Sequence, residues 1–414
     1  MRPLAPLAFA LALAVLPFAP SSRAAPAIPS GPIDPATIRA EVAAVRARLG
    51  ARAGVPEAAD RHLPIPRAAA WLTPAEARAA FARTLPRLEQ LRWWRPGLDP
   101  AKLERALREP AAVVAGCAAA ARGGLAGAER ALREARLAAD FLLAAQAEAG
   151  AGLFPFPAVR GVTRDPAFAA ADRFLRRAGQ AGRLDRFVHR GWVIDDGDDG
   201  GLQFDNAEAG TALLDLYRET KDARDLAGAR RAADWALARP LARNWNYNSF
   251  SAHLLARAFA ATGERRYLDA AVRKLRHGVL PGQLPDGPRA GRWLDPHNAR
   301  PAYHYIMLRA LAETIGALPA DDAARPELVA ALALGLRARN ADFAGPGAPN
   351  KDKAMETLLI VHRVFAADPA FLRSTLSDTA LDALGRLVSD EFRRDRAPLG
   401  PREWGEFLAY AAAR

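Results

Sequence analysis

Apolar residues recur three and four positions apart along most of the chain, in long runs rich in alanine, leucine and arginine. That spacing is the signature of amphipathic helices. Thr73-Pro74-Ala75-Glu76 is a capping box with proline at the first helical position, and it predicts a helix running toward Leu88. A long amphipathic helix is predicted over 124–149, closed by Gly150 and Gly152. Strand-like alternation is confined to short pieces such as Trp192-Val193-Ile194.

The helices come in pairs. Leu213-Leu214-Asp215-Leu216-Tyr217 leads to Thr220-Lys221-Asp222 and then to an alanine-rich helix. Leu254-Leu255-Ala256-Arg257-Ala258 leads to Thr262-Gly263-Glu264 and then to another. Aligning Thr220 with Thr262 gives a period of 42 residues, which fits a helix, a short turn and a returning helix. Repeated hairpins stack into an open solenoid or close into an α/α toroid. The long loops at 185–205 and 280–300 carry Trp, Asn, Asp and Pro, as loops lining a cleft do, and favour the toroid. The expected fold is therefore all-α: an incomplete barrel of helical hairpins, forming a single domain over 25–414.

Residues 1–24 read as a secretory signal: Arg2, an apolar stretch to Phe18 broken by Pro17, and a small-x-small cleavage site at Ser22-Arg23-Ala24. The stretch is too short to span a bilayer, and no later run is long enough. The expected location is the periplasm or the exterior, without stable membrane insertion. Cys117, the only cysteine, lies in an alanine-rich run and is expected to be buried and inert; alone, it excludes a zinc site of several thiolates.

The chain carries a net charge of +12, yet only 5 of its 58 basic residues are lysine. A basic cleft that steers an acidic polymer would explain the charge, as would the codon bias of a GC-rich genome. Nucleic acid is disfavoured, because export removes the usual target and no Lys/Arg block is interleaved with aromatics. Zinc-protease, serine-hydrolase and phosphate-loop motifs are absent from the sequence.

Chemistry-bearing residues concentrate between Trp245 and Tyr305, where four of the seven histidines and four of the six tyrosines fall. One cluster is Asn244-Trp245-Asn246-Tyr247-Asn248; the other is His297-Asn298-Ala299-Arg300-Pro301-Ala302-Tyr303-His304-Tyr305. They read as two walls of one site. Amides hydrogen-bond sugar hydroxyls or a carboxylate, and aromatic faces stack on sugar rings. Pro301 is placed in the first turn of a helix continuing through Ile315, which puts Tyr303 and His304 beside Arg300. A helix N-terminus and a guanidinium both favour tyrosinate, which can act as a general base. His62, His189, His277 and His362 are isolated and read as structural.

The loop 195–201 is acidic and glycine-rich but fails the EF-hand spacing, leaving a non-EF calcium site or a solvated turn. No other cofactor or metal is expected. Asp205 and Glu208 share a face if the helix has begun, with Asp205 otherwise its N-cap. Asp286 and Asp295 fit turns.

The stretch 246–316 resembles periplasmic alginate lyases of the α/α toroid fold. Asn246-Tyr247-Asn248-Ser249 is similar to the Asn-Asn-His-Ser run that opens a helix in that family, and Leu284-Pro285-Asp286-Gly287 to its Gly-x-Leu-Pro loop. Arg300-Pro301-Ala302-Tyr303-His304 is similar to its Arg-Ala-Leu-x-Tyr-His element, whose tyrosine is the catalytic acid/base. The family's catalytic Asn-His pair falls on Tyr247-Asn248, and its second arginine on Pro296. A weaker likeness to toroid pectate lyases covers Gly152-Leu153-Phe154-Pro155 and Phe204-Asp205-Asn206-Ala207; the latter run recurs across six-hairpin glycosidase-like proteins.

The expectation is a lyase that cleaves an acidic, uronate-containing polysaccharide by β-elimination. Tyr303 serves as base, acid or both, and Arg300 and Asn248 neutralise the carboxylate. His297 or His304 assists. Asn246, Trp245, Tyr247 and Trp293 form subsites, with Asp205 and Glu208 as further substrate contacts. The alternatives are a glycoside hydrolase using carboxylates from Asp205, Glu208, Asp286 or Asp295, and a non-catalytic glycan-binding protein.

Overall fold

The expected helical pairs are present in the computed structural model, which describes residues 35–50, 62–64, 69–90, 106–158, 166–197, 200–294, 297–344, 347–396 and 400–414. The expected signal segment, 1–24, lies outside the described residues, as do Asp198, Asp199, Asp295 and Pro296. The first helices are α1 (Pro35–Gly50), α2 (Pro74–Gln90), α3 (Arg108–Arg122), α4 (Ala128–Ala149), α5 (Pro166–Gln180) and α6 (Leu184–Phe187). Then come α7 (Gly201–Thr220), α8 (Ala223–Ala238), α9 (Trp245–Thr262), α10 (Arg265–Gly278), α11 (Pro301–Ala317) and α12 (Arg325–Arg337). The last are α13 (Asn340–Ala344), α14 (Lys351–Val364), α15 (Pro369–Thr375), α16 (Ser377–Arg393) and α17 (Pro401–Ala413).

The capping box forms as read. The Thr73 amide donates to Glu76 at 2.8 Å and the Glu76 amide to Thr73 Oγ1 at 3.2 Å. The 42-residue repeat is reproduced bond for bond. Thr220 and Thr262 each donate a hydroxyl to the carbonyl four residues back, at 3.0 and 2.8 Å. Each also accepts the amide two residues on, at 3.2 Å. The residue between is left-handed both times, Gly263 at φ 73° and Lys221 at φ 59°.

Helices α3, α7, α9, α11, α14 and α17 pack in succession into an inner ring, with α4, α8, α10, α12, α16 and α2 outside them. The inner helices are buried on nearly every face; α7, for example, is buried from Leu202 to Leu216. A helix that meets the axis on one side and an outer helix on the other needs apolar residues all round. The circuit runs through α17, which lies between α14 and α3. The last crossing requires bare backbone: a methyl at Gly405 would overlap the Gly116 carbonyl, and one at Gly116 the Pro401 carbonyl. Outside this seam, Leu72 donates its amide to Ser389 at 3.0 Å, and Trp71 stacks on Phe407 at 5.6 Å. Cys117 is buried beside the seam, and burial pushes its thiol up to about 12.

Strands are minor. β1 (His62–Pro64) pairs antiparallel with β5 (Gly347–Pro349). β2 (Phe156–Pro157), β3 (Val188–His189) and β4 (Trp192–Val193) make a small sheet in the order β2-β4-β3. Each inner helix is answered by an outer one running back, so the inner helices all point the same way. Their N-termini gather at the end with the longer connections, where loops can line a cleft.

Candidate functional site

At that end, α11 starts where the sequence places it. Pro301 is its first residue, and the His304 amide donates to the Arg300 carbonyl at 2.9 Å. The helix runs past the expected Ile315 to Ala317. In its first turn the Tyr303 ring is stacked by the His297 imidazole, with centroids 4.5 Å apart and planes 24° apart. The Arg300 guanidinium lies 4.6 Å from the same ring. Arg300 also holds His297, donating to its carbonyl at 3.2 Å and meeting Nδ1 at 2.8 Å. Arg339 donates to the Ala299 carbonyl and anchors the loop. His297 and Arg300 are half-buried, and Tyr303 is 5% exposed.

The two sequence clusters meet. Asn246 donates its amide to Asn298 at 2.9 Å and to Asn244 at 3.0 Å, tying the start of α9 to the loop before α11. Its Oδ1 is buried without a partner among the described residues. Tyr247 beside it is half-buried against the core.

Other residues of the two clusters turn into the scaffold. The Asn248 side chain accepts from the Ala242 amide at 2.8 Å and donates to the Ala242 and Gly278 carbonyls at 2.7 and 2.8 Å. It is fully buried, and its amide is spent on backbone. Trp293 is likewise buried, its indole donating to the Val279 carbonyl at 3.1 Å. His304 is buried with Nε2 on the Gly335 carbonyl at 2.9 Å, and burial holds its pKa well below the usual histidine range. Trp245 is buried against Gly282, where a Cβ would enter the indole.

The two carboxylates are also engaged. Helix α7 begins at Gly201, so Asp205 lies within it and is not its N-cap. Arg108 holds both oxygens of Asp205, at 2.6 and 3.0 Å. Glu208, one turn on, is also buried, 2.9 Å from Arg309 and 3.0 Å from Arg402. Burial opposes its charge, but Arg402 and Arg309 prevail and hold its pKa down to about 2. In the acidic loop, Asp195 accepts from the Gly197 amide at 2.8 Å. Asp196 accepts from the Leu202 amide at 2.9 Å and pairs with Arg239 at 3.1 Å.

Glu208 belongs to an axial charge network that the sequence motifs do not reveal. Arg309 reaches Glu356 at 2.7 Å, and Lys353 reaches Glu403 at 2.8 Å and Glu356 at 3.4 Å. Asp352, in the first turn of α14, belongs to no motif either. Its Oδ1 is buried without a partner among the described residues. Burial pushes its carboxyl up to about 7, helped by Glu403 and opposed by Lys353 and Lys351. The available signal is a charge standing in an otherwise apolar helix, as Arg309 does in Ile306-Met307-Leu308-Arg309-Ala310-Leu311.

No family model matches the chain, and none of the curated proteins compared matches it. Solved structures do. A glycosyl hydrolase family 88 protein from Bacteroides vulgatus is 12% identical with a TM-score of 0.50, covering 82% of this chain and 98% of that one. A polysaccharide lyase is 13% identical with a TM-score of 0.51, covering 82% of this chain and 96% of that one. At such identities the likeness is one of fold, and it agrees with the α/α toroid built here from six inner and six outer helices.

Proposed function

We propose that the chain is an exported polysaccharide lyase that cleaves an acidic, uronate-containing polymer by β-elimination. The observation that carries this reading is the Tyr303 ring, stacked by His297 and flanked by Arg300 in the first turn of an inner helix. Elimination needs a base for the proton α to the uronate carboxylate and a cation for that carboxylate. Tyr303 supplies the base. Arg300 and the helix N-terminus neutralise the developing charge. His297 positions the phenol, and Asn246 and Tyr247 line the adjoining wall. The net charge of +12 and the fold's polysaccharide lyase neighbour support the same reading.

The test is ultraviolet absorbance of the unsaturated uronate, with alginate, polygalacturonate, hyaluronan and heparan-type polymers, each with calcium and with chelator. A rise that is lost in Tyr303→Phe supports the lyase; a flat trace with every polymer counts against it.

A glycoside hydrolase is the second reading, favoured by one observation: Asp352, whose carboxyl is pushed up to about 7, suits a general acid. New reducing ends without absorbance would support it over elimination.

A further inference from the structure

Arg108 opens α3 at the same end of the ring as Tyr303. Its guanidinium lies over the Phe204 ring, 3.8 Å from the centroid. Its Nε and Nη2 donate to the two oxygens of Asp205 at 2.6 and 3.0 Å. The group is thus fixed by a ring and by a carboxylate, yet 24% of the side chain stays exposed. A guanidinium held in this way loses little freedom on meeting a second carboxylate, whose geometry its planar fork matches. Holding Asp205 does not exhaust it. Arg309, 5.3 Å from the Phe250 ring, holds Glu208 and Glu356 at once.

A continuous wall joins Arg108 to the candidate site. Phe204 is four residues before Glu208, so it shares the axial face of α7 one turn nearer the N-terminal end. Its ring stacks on Phe250 of α9, with centroids 4.1 Å and planes 21° apart. Phe250 in turn lies four residues after Asn246 on one face of α9, and Asn246 donates to Asn298, the neighbour of His297. The wall therefore passes from α3 through α7 and α9 to the loop before α11. In the order of the inner ring α3 stands opposite α11, so Arg108 and Tyr303 belong to opposite sides of the mouth.

We propose, on the acidic-polymer reading above, that Arg108 is a carboxylate anchor: it binds the uronate group of a sugar removed along the chain from the one at Tyr303. The anchor acts however the bond is then broken. A polymer that carries a carboxylate on successive sugars can meet Arg300 and Arg108 together, and two tethered contacts hold a chain more tightly than either alone. A neutral chain would cover the Arg108 cation without pairing it, so the same residue selects against uncharged polymers.

The experiment is calorimetric titration with long oligosaccharides of the four polymers above, and with the same chains after their carboxyl groups are reduced to alcohols. It compares Tyr303→Phe, which does not consume the chain by elimination, with the same protein carrying either Arg108→Lys or Arg108→Gln/Asp205→Asn. Lysine keeps the charge and loses the fork. The paired amides spare Asp205 from being buried without a partner, and melting temperatures establish that each variant is folded. Against the acidic chain that binds best, the double replacement is expected to weaken Kd by about 10–100-fold, the span of one charge-assisted contact, and Arg108→Lys by a smaller part of that. The carboxyl-reduced chains should bind weakly and alike to all three. Unchanged affinity for acidic chains, or an equal loss on acidic and reduced chains, overturns the role of Arg108. Absence of binding to any acidic chain before Arg108 is changed overturns the acidic-polymer reading with it. A loss confined to acidic chains, in a protein whose absorbance trace is flat, supports Arg108 and counts against elimination.

Discussion

Arg309 and Glu208, 101 residues apart in sequence, meet at 2.9 Å on the axis of the ring. Arg309 is fully buried and bridges to Glu356, while Arg402 approaches Glu208 from α17. One arginine thus ties α7, α11 and α14, and a second ties α17 to α7. Charges taken this far from water hold together only because each is paired.

Removing one member should expose that dependence. Glu208→Gln leaves Arg309 and Arg402 sharing Glu356, and is expected to cost about 3–5 kcal/mol, the range for breaking a buried ion pair. A urea-denaturation midpoint unchanged from wild type would show that the pairing contributes little.

The same network sets the response to acid. Glu208 has a folded pKa of about 2, below its ordinary value of 4.5, so its contribution is full above pH 4.5 and is lost as pH falls toward 2. Asp352 has the opposite sign. Its folded pKa lies above 3.8, so its burial costs nothing at low pH and progressively more as pH rises from about 4 to 7. Asp352→Asn should therefore raise the melting temperature at pH 8 relative to wild type and lose that advantage near pH 4.

Asn248 and Tyr303 should separate stability from activity. Asn248→Ala strips three buried hydrogen bonds and should lower stability by about 1–3 kcal/mol or more. Tyr303→Phe should leave the melting temperature within a few degrees while abolishing turnover. Thermal melts and kinetics on the same preparations decide between the two roles.

At the turn between α7 and α8, Lys221 takes the left-handed conformation that Gly263 takes in the next repeat. Lys221→Gly removes a strain of about 1 kcal/mol and should raise stability by up to that amount. A decrease would mean that Lys221 gains more from its neighbours, including the Tyr217 ring 5.4 Å away, than its backbone loses.

The fold was legible because its signals are local. The threonine turns at 220 and 262 state the hairpin and its period, and the capping box at Thr73 states a helix start. The site was legible only in part. The sequence drew attention to Asn246 and to the loop before α11, and the two do meet through Asn298. Asn248, Trp293 and His304 drew equal attention, yet the hydrogen bonds their side chains make go to backbone carbonyls and amides, and nothing in a residue's type says which partner it will find. The axial charges escaped for the converse reason. Arg309, Glu356 and Arg402 are single charges on separate helices, and only closure of the ring makes them neighbours.

The bare-backbone crossing of Gly116 and Gly405 bears on how the molecule comes apart. In an open array, end repeats have one neighbour and fray first. Here the crossing gives the first inner helix and the last a neighbour on both sides, so melting has no preferred end from which to begin. A bulkier residue at either glycine would create such an end, converting a single cooperative transition into a stepwise one.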